Sequence, residues 1–219
     1  MLKLAASLWS ADLANLAAEI RRIEPYCDRF HFDVADGHYV KALLFFPDLV
    51  AALRPHTRLP FEVHLMTARP LDWVEPFVAA GADSIIFCHD AAENPRPVLD
   101  AIKSRGKLAG ISLRLDESLE VVAPYWRDLD LLTLLGTEVG IKGVGMDPRQ
   151  PDRIRQAREI VSERHLGVEI EADGGIRRET VPLIHTAGAD VIVPGSLIFR
   201  EDPAEIRGWI EGLDVPVDS

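Results

Sequence analysis

Apolar positions along the chain fall into two alternating rhythms. Short runs of strand character are KLAAS (Lys3–Ser7), RFHFDV (Arg29–Val34), FEVHL (Phe61–Leu65), SIIFC (Ser84–Cys88), LAGISL (Leu108–Leu113), DLLTLL (Asp130–Leu135), GVEIEA (Gly167–Ala172) and DVIVP (Asp190–Pro194). Between them lie segments of helical period: Ala11–Ile23, Phe46–Pro55, Pro70–Gly81, Pro95–Gly106, Ser118–Trp126, Pro151–Arg164, Arg177–Gly188 and Asp202–Leu213. Pro70, Pro151 and Pro203 open helices, and Gly81, Gly106 and Gly188 close them. Eight strand–helix units joined by short turns predict a parallel sheet. Packed into 219 residues, they predict a single-domain (β/α)8 TIM barrel over residues 1–219. The competing architecture, an open doubly wound sheet, needs a glycine-rich turn after the first strand, and AASLWSAD contains no glycine.

In such a barrel the functional residues sit at the C-terminal ends of the strands and in the loops that follow. Strand alternation in RFHFDV sends His31 and Asp33 to one face and Phe32 and Val34 to the other. Burying a histidine beside a carboxylate is costly unless the charge is paired or holds a metal. His64 ends the third strand, with Glu62 on the same face. Asp173 ends the seventh, where Glu169 and Glu171 share its parity while Val168, Ile170 and Ala172 face the helices. Singly, an inward histidine is more often a hydrogen-bonded core residue and a strand-end aspartate a helix cap. Two imidazoles and two carboxylates meeting at one mouth instead fit a divalent metal: zinc, iron(II), manganese or cobalt rather than calcium. Glu62, Glu169 and Glu171 read as supporting interior polar groups.

The last third carries phosphate signals. ADGGIRRE (Ala172–Glu179) ends a strand in Gly174 and Gly175 and then starts a helix, and VPGSLIF (Val193–Phe199) does the same with Gly195 and Ser196. Paired turns of this kind after the seventh and eighth strands present backbone N–H groups to a phosphate. A phosphorylated small molecule is the expected ligand.

These motifs resemble the ribulose-phosphate 3-epimerase family over nearly the whole chain. SLWSADLANL resembles the family's S-I-L-S-A-D opening, HFDVADGHYV its H-x-D-x-M-D-G-H-F-V, and EVHLM its D-V-H-L-M. IEADGGI and AGADVIVPGSLIF resemble its closing phosphate-binding segments. The resemblance implies a barrel of the ribulose-phosphate-binding type and a metal held by His31, Asp33, His64 and Asp173. Asp33 and Asp173 would form the acid–base pair, one on each face of the substrate. Ser7 would lie against the substrate's oxygens, Met66 against the reacting region, and Gly175, Gly195 and Ser196 at the phosphate. Removing a C–H proton beside a ketone and replacing it from the opposite face calls for a Lewis acid and two carboxylates in opposite protonation states.

Departures from the family cluster around the substrate. Ala35 replaces a methionine, Lys41-Ala42 replaces P-N, and Thr133 stands where another methionine is usual, which predicts a roomier or more polar pocket floor. GTEVGIKGVG (Gly136–Gly145) replaces N-P-G-F-G-G-Q, keeping Gly140 but introducing Thr137, Glu138 and Lys142. Lys142 reads either as a phosphate-binding cation or as a solvated side chain. Leu115-Asp116 replaces another N-P turn; His89 fits the family's strand-four histidine, and Ala91 replaces a glutamate. The expected activity is metal-dependent 3-epimerisation of a ketose phosphate, either ribulose 5-phosphate or a related tetrulose or hexulose phosphate. A lyase or decarboxylase on the same barrel is the alternative, but a lysine at a strand end near the metal is its usual mark, and strands two, three and seven carry none. An aldose–ketose isomerase or a non-catalytic sugar-phosphate binder fits two opposed carboxylates less well.

Composition changes the picture only slightly. With 47% apolar and 27% charged residues, the chain is of ordinary globular type. A net charge of −11 excludes a basic nucleic-acid surface and requires any anion site to be built locally. Cys27 and Cys88, each beside an apolar run, read as buried free thiols. The N-terminus lacks a signal-peptide pattern, and no segment approaches the roughly 18 apolar residues of a membrane span, so a cytoplasmic location and no membrane partner are expected. The resemblance also implies a homo-oligomer, dimer or hexamer; LLFF (Leu43–Phe46) reads either as its contact element or as core.

Overall fold

Residues 1–214 are described by a computed structural model. The C-terminal end of the domain expected over 1–219, residues 215–219, lies outside the described residues. Eight strands form the barrel: β1 (Lys3–Ser7), β2 (Arg29–Asp36), β3 (Phe61–Met66), β4 (Ser84–Cys88), β5 (Leu108–Leu113), β6 (Leu131–Leu135), β7 (Glu169–Asp173) and β8 (Val191–Val193). Each pairs in parallel with its sequence neighbours, and β8 returns to β1, closing the sheet. Around it pack α1 (Leu16–Ile23), α2 (Pro47–Leu53), α3 (Leu71–Ala79), α4 (Arg96–Ser104), α5 (Gln150–Glu163), α6 (Val181–Ala187), α7 (Ser196–Arg200) and α8 (Pro203–Gly212).

The main core lies between the sheet and the helices. Phe30, Phe32, Phe61 and Phe87 leave the sheet outwards and are fully buried, with Phe32 and Phe61 rings 4.7 Å apart and tilted. Each such side chain contributes about 1.5–3 kcal/mol of apolar burial. The alternate residues face the axis, where polar Arg29, His31, Asp33, Glu62, His64, Ser112, Thr133 and Glu171 are buried alongside a small apolar cluster of Ala5, Val191 and Val193. Two packed layers thus leave the strand interiors free for chemistry.

Several predicted helices are shortened for local reasons. The first begins at Leu16 rather than Ala11, because the Asp12 carboxylate accepts from Ala14 N–H (3.0 Å) and the Asn15 amide (2.7 Å), diverting this stretch into a turn. Ser118–Trp126, predicted as a helix, is a 3-10 turn over Leu119–Val122 followed by turns. Pro124 supplies no N–H to carry the helical hydrogen-bond ladder on, although Ala123 itself keeps helical backbone at φ −52° and ψ −39°. Conversely β2 runs two residues beyond the predicted Val34 and pairs antiparallel with Leu43–Leu44. Within LLFF, Phe45 is buried in the core, as the core reading expects, whereas Leu43 and Phe46 are 81% and 57% exposed.

Candidate active site

Strand register assembles the mouth of the barrel. Ser7 on β1 pairs with His31 on β2, His31 with Glu62 on β3, and Asp33 with His64, while Asp173 closes β7 beside Leu135 and Val193. His31, Asp33, His64 and Asp173 each bring one nitrogen or oxygen to within 4.8 Å of the others'. The two imidazole rings meet edge-on, 5.6 Å apart.

Hydrogen bonds behind the cluster decide which nitrogen each histidine offers. An ionised carboxylate only accepts, so the 2.9 Å contact to Glu62 Oε1 puts a proton on His31 Nδ1 and makes Nε2, 3.4 Å from Asp33 Oδ1, the nitrogen a metal could take once Nε2 gives up its own proton. The Ser112 hydroxyl donates to Cys88 Sγ (3.4 Å); its oxygen therefore accepts from His64 Nε2–H at 2.9 Å, leaving Nδ1 3.8 Å from Asp173 Oδ2. His31 Nε2 and His64 Nδ1 are buried without a hydrogen-bond partner among the described residues. Two orphaned nitrogens facing two carboxylates form a donor set suited to a divalent cation of borderline softness.

Electrostatics splits the two aspartates. Burial disfavours the Asp33 anion, but the adjoining His31, then His64 and the Ser7 hydroxyl outweigh it and hold its carboxyl below the ordinary value. For Asp173, burial and then the Asp33 charge push the carboxyl up to about 7. Deeper inside, burial and the neighbouring Glu62 charge push Glu171 well up. One carboxylate at the mouth is thus firmly ionised while the other titrates near neutrality.

A cavity opens beside the cluster, bordered by Ser7, Asp33, His64, Met66 and Asp173, by the turn residues Gly174, Gly175, Gly195 and Ser196, and by Gly140 and Lys142 of the loop after β6. Ser7 Oγ donates to Asp33 Oδ2 at 2.7 Å. Gly175 has φ +71°, and a Cβ there would lie 2.5 Å from the backbone N and Cα of Met146. The loop after β6 is thereby seated directly on the glycine turn, and Arg177 pins it by donating to the Gly143 and Val144 carbonyls (both 3.1 Å). Lys142 Nζ lies over the Trp9 ring, 5.1 Å from its centre, and donates to the Trp9 carbonyl at 3.1 Å.

The floor differs from expectation. Thr133 is fully buried below the cavity, where it donates to Glu171 Oε1 at 2.8 Å, so it adds no polarity to the pocket wall. Ala35 packs with Val40, Met66 and Cys88 rather than opening space. His89 turns to Glu117 (2.7 Å) at the rim. Trp9, Ser10 and Arg177 border the cavity although sequence reasoning passed over them. Their positions in the loops after the first and seventh strands were the available signal.

The fold and site define a (β/α)8 barrel whose mouth cavity is bordered by a histidine–carboxylate cluster and by the glycine turns after β7 and β8. The chain belongs to the ribulose-phosphate 3-epimerase family, whose profile matches residues 3–199. It is 37% identical over 209 residues to ribulose-phosphate 3-epimerase of Chlamydia muridarum, covering 93% of this chain and 91% of that one. It is 34% identical over 215 residues to the Bacillus subtilis protein of the same name, covering 95% and 99%. Its fold also matches 3-keto-L-gulonate-6-phosphate decarboxylase from Vibrio cholerae, with TM-score 0.72 at 13% identity, covering 97% and 96% of the two chains. Family membership makes it an isomerase of the carbohydrate racemase and epimerase class.

Proposed function

We propose that the protein is a metal-dependent 3-epimerase of a ketose phosphate, ribulose 5-phosphate or a tetrulose or hexulose phosphate of similar pattern. The observation that carries this reading is the pair Asp33 and Asp173, reaching one cavity from β2 and β7 with opposite tendencies to hold a proton. His31, Asp33, His64 and Asp173 would hold the divalent ion, zinc, iron(II), manganese or cobalt. Bound there, it would supply Lewis-acid stabilisation of charge developing on the substrate's ketone oxygen.

The protein's own groups carry the proton. The ionised aspartate accepts the C3 proton on one face of the sugar, while its protonated counterpart delivers one from the opposite face. Reversing the roles epimerises the product back. Ser7, hydrogen-bonded to Asp33, keeps that carboxylate's orientation fixed through both half-reactions. Gly174, Gly175, Gly195 and Ser196 would take the phosphate on backbone N–H groups. Gly140 lets the β6 loop lie close to Val40, where a Cβ would come within 2.7 Å, and Met66 keeps water from the reacting carbon. Lys142, held at Trp9, adds positive charge to the mouth alongside Arg177.

Exposure of Leu43 and Phe46 supports a homo-oligomer. The two buried free thiols fit a reducing, cytoplasmic setting. Among the described residues, no helix is long and apolar enough to cross a membrane. The deciding experiment is proton NMR in D2O with metal-loaded protein and ketose phosphates of four, five and six carbons. Loss of the C3 proton with growth of the C3 epimer is expected; metal-saturated protein that leaves every C3 proton in place would refute the assignment.

A further inference from the structure

Below the metal-candidate cluster, a chain of alternating charges descends through the barrel interior. Lys3, at the start of β1, pairs with Glu169 at the start of β7. Glu169 Oε2 accepts from Arg29 Nη2 at 2.6 Å, and Arg29 Nη1 donates to Glu62 Oε2 at 2.8 Å. Glu62 Oε1 then accepts from His31 Nδ1 at 2.9 Å. Glu62 is fully buried and Arg29 is 8% exposed, whereas Lys3 opens to solvent at the N-terminal end of the barrel. An unbraced arginine or glutamate would be costly here, and an apolar filling would pack as well. The charges therefore call for a role beyond stability.

We propose that Arg29 is a positioning residue for the metal site, acting through Glu62 on His31; this inference rests on the metal-dependent reading above. The Arg29 fork holds one oxygen of Glu62 and leaves the other free for the imidazole, which fixes the ring plane and tautomer that present Nε2 to Asp33. It also neutralises Glu62 from below. Glu62 would otherwise stand as an unneutralised carboxylate beside His31 and Glu171; one ligand atom from each of the three lies within 4.8 Å of the others. Groups that orient a metal-binding histidine typically account for about 10–100-fold in metal affinity. Arg29, one step further back, is expected near the lower end of that range.

The test uses full-length protein stripped of metal and titrated with Co2+, read by its visible absorption and by melting temperature with and without the ion. Arg29→Met keeps the volume but removes the fork. It is expected to weaken Co2+ binding about tenfold, alter the visible spectrum and shrink the metal-induced rise in melting temperature. Glu62→Gln should do the same more strongly. The double variant should bind Co2+ no worse than Glu62→Gln alone, because both act along one path. Should Arg29→Met fail to fold, Glu169→Gln, which removes half the brace from the partly exposed end, carries the same expectations on a smaller scale.

An Arg29→Met protein that melts lower by the same amount with and without Co2+, at unchanged affinity and spectrum, would overturn the proposal and leave Arg29 as core packing. So would additive losses in the double variant. Wild-type protein that binds no Co2+ would instead defeat the underlying metal reading. Tight, Arg29-dependent Co2+ binding without epimerisation would leave the positioning role standing and remove only the proposed reaction.

Discussion

Replacing Gly175 by alanine separates the phosphate turn's geometry from ordinary glycine strain. At φ +71° an L side chain costs about 1–2 kcal/mol. A Cβ would also press within 2.5 Å of the Met146 N and Cα. Ordinary contact begins at 3.4 Å, so the two backbones must part by roughly 1 Å. Gly175 lines the proposed substrate cavity and Met146 follows the loop residues Gly143 and Val144 that line it, and a shift of that size at a positioning element costs about 100-fold in rate, or about 2.7 kcal/mol of transition-state stabilisation. Gly106→Ala is the control, since Gly106 has φ +68° but nothing within 4 Å of the added Cβ. Both variants should lose about 2–4 °C of melting temperature for each kcal/mol of strain. Only Gly175→Ala should lose kcat/KM, measured by NMR on the preferred ketose phosphate. If Gly175→Ala keeps activity within threefold of wild type while melting like the control, the glycine turn does not position the substrate and the reasoning fails.

Metal affinity should depend steeply on pH. His31, which burial disfavours charging but which Asp33 holds well above the usual histidine range, must give up its Nε2 proton to act as a ligand. Binding therefore releases a proton, and affinity falls as pH drops, by about tenfold per unit; equal Co2+ affinity at pH 6 and 8 would contradict this. Asp33→Asn and Asp173→Asn should each lower epimerisation by about 10²–10⁴-fold. Whichever variant retains Co2+ should still exchange the C3 proton of one epimer with D2O without inverting it, and inversion at the wild-type rate in either would exclude a two-carboxylate mechanism. Leu43→Glu combined with Phe46→Glu should shift the protein to monomer in light scattering after size-exclusion chromatography, at unchanged melting temperature for the monomeric fold. An unchanged mass would place the oligomer contact elsewhere.

The barrel was legible in the sequence because its signals are local. Period-two runs such as RFHFDV and proline–glycine punctuation around helices report on neighbours a few residues apart. Where local hydrogen bonding competes, as at Asp12 and Asn15 or ahead of Pro124, the helical rhythm misled on element ends and kind. Parity alone also placed His31, Asp33, His64 and Asp173 on the axis. It said nothing of how deep each residue sits, which is why Thr133 read as pocket floor although it lies beneath the cavity against Glu171.

The sequence by itself determined the alternation of elements, the inward set of titratable residues and the glycine turns after β7 and β8, since these follow from backbone periods of 2 and 3.6 residues. Only the tertiary structure decided which nitrogen each histidine turns to the cluster, and that Arg29, Glu62 and Glu169 form one braced path beneath them. It alone laid Lys142 across Trp9 and seated Met146 on Gly175. Those contacts join residues tens to more than a hundred positions apart, brought together by barrel closure, so strand register and loop packing rather than any local pattern set them.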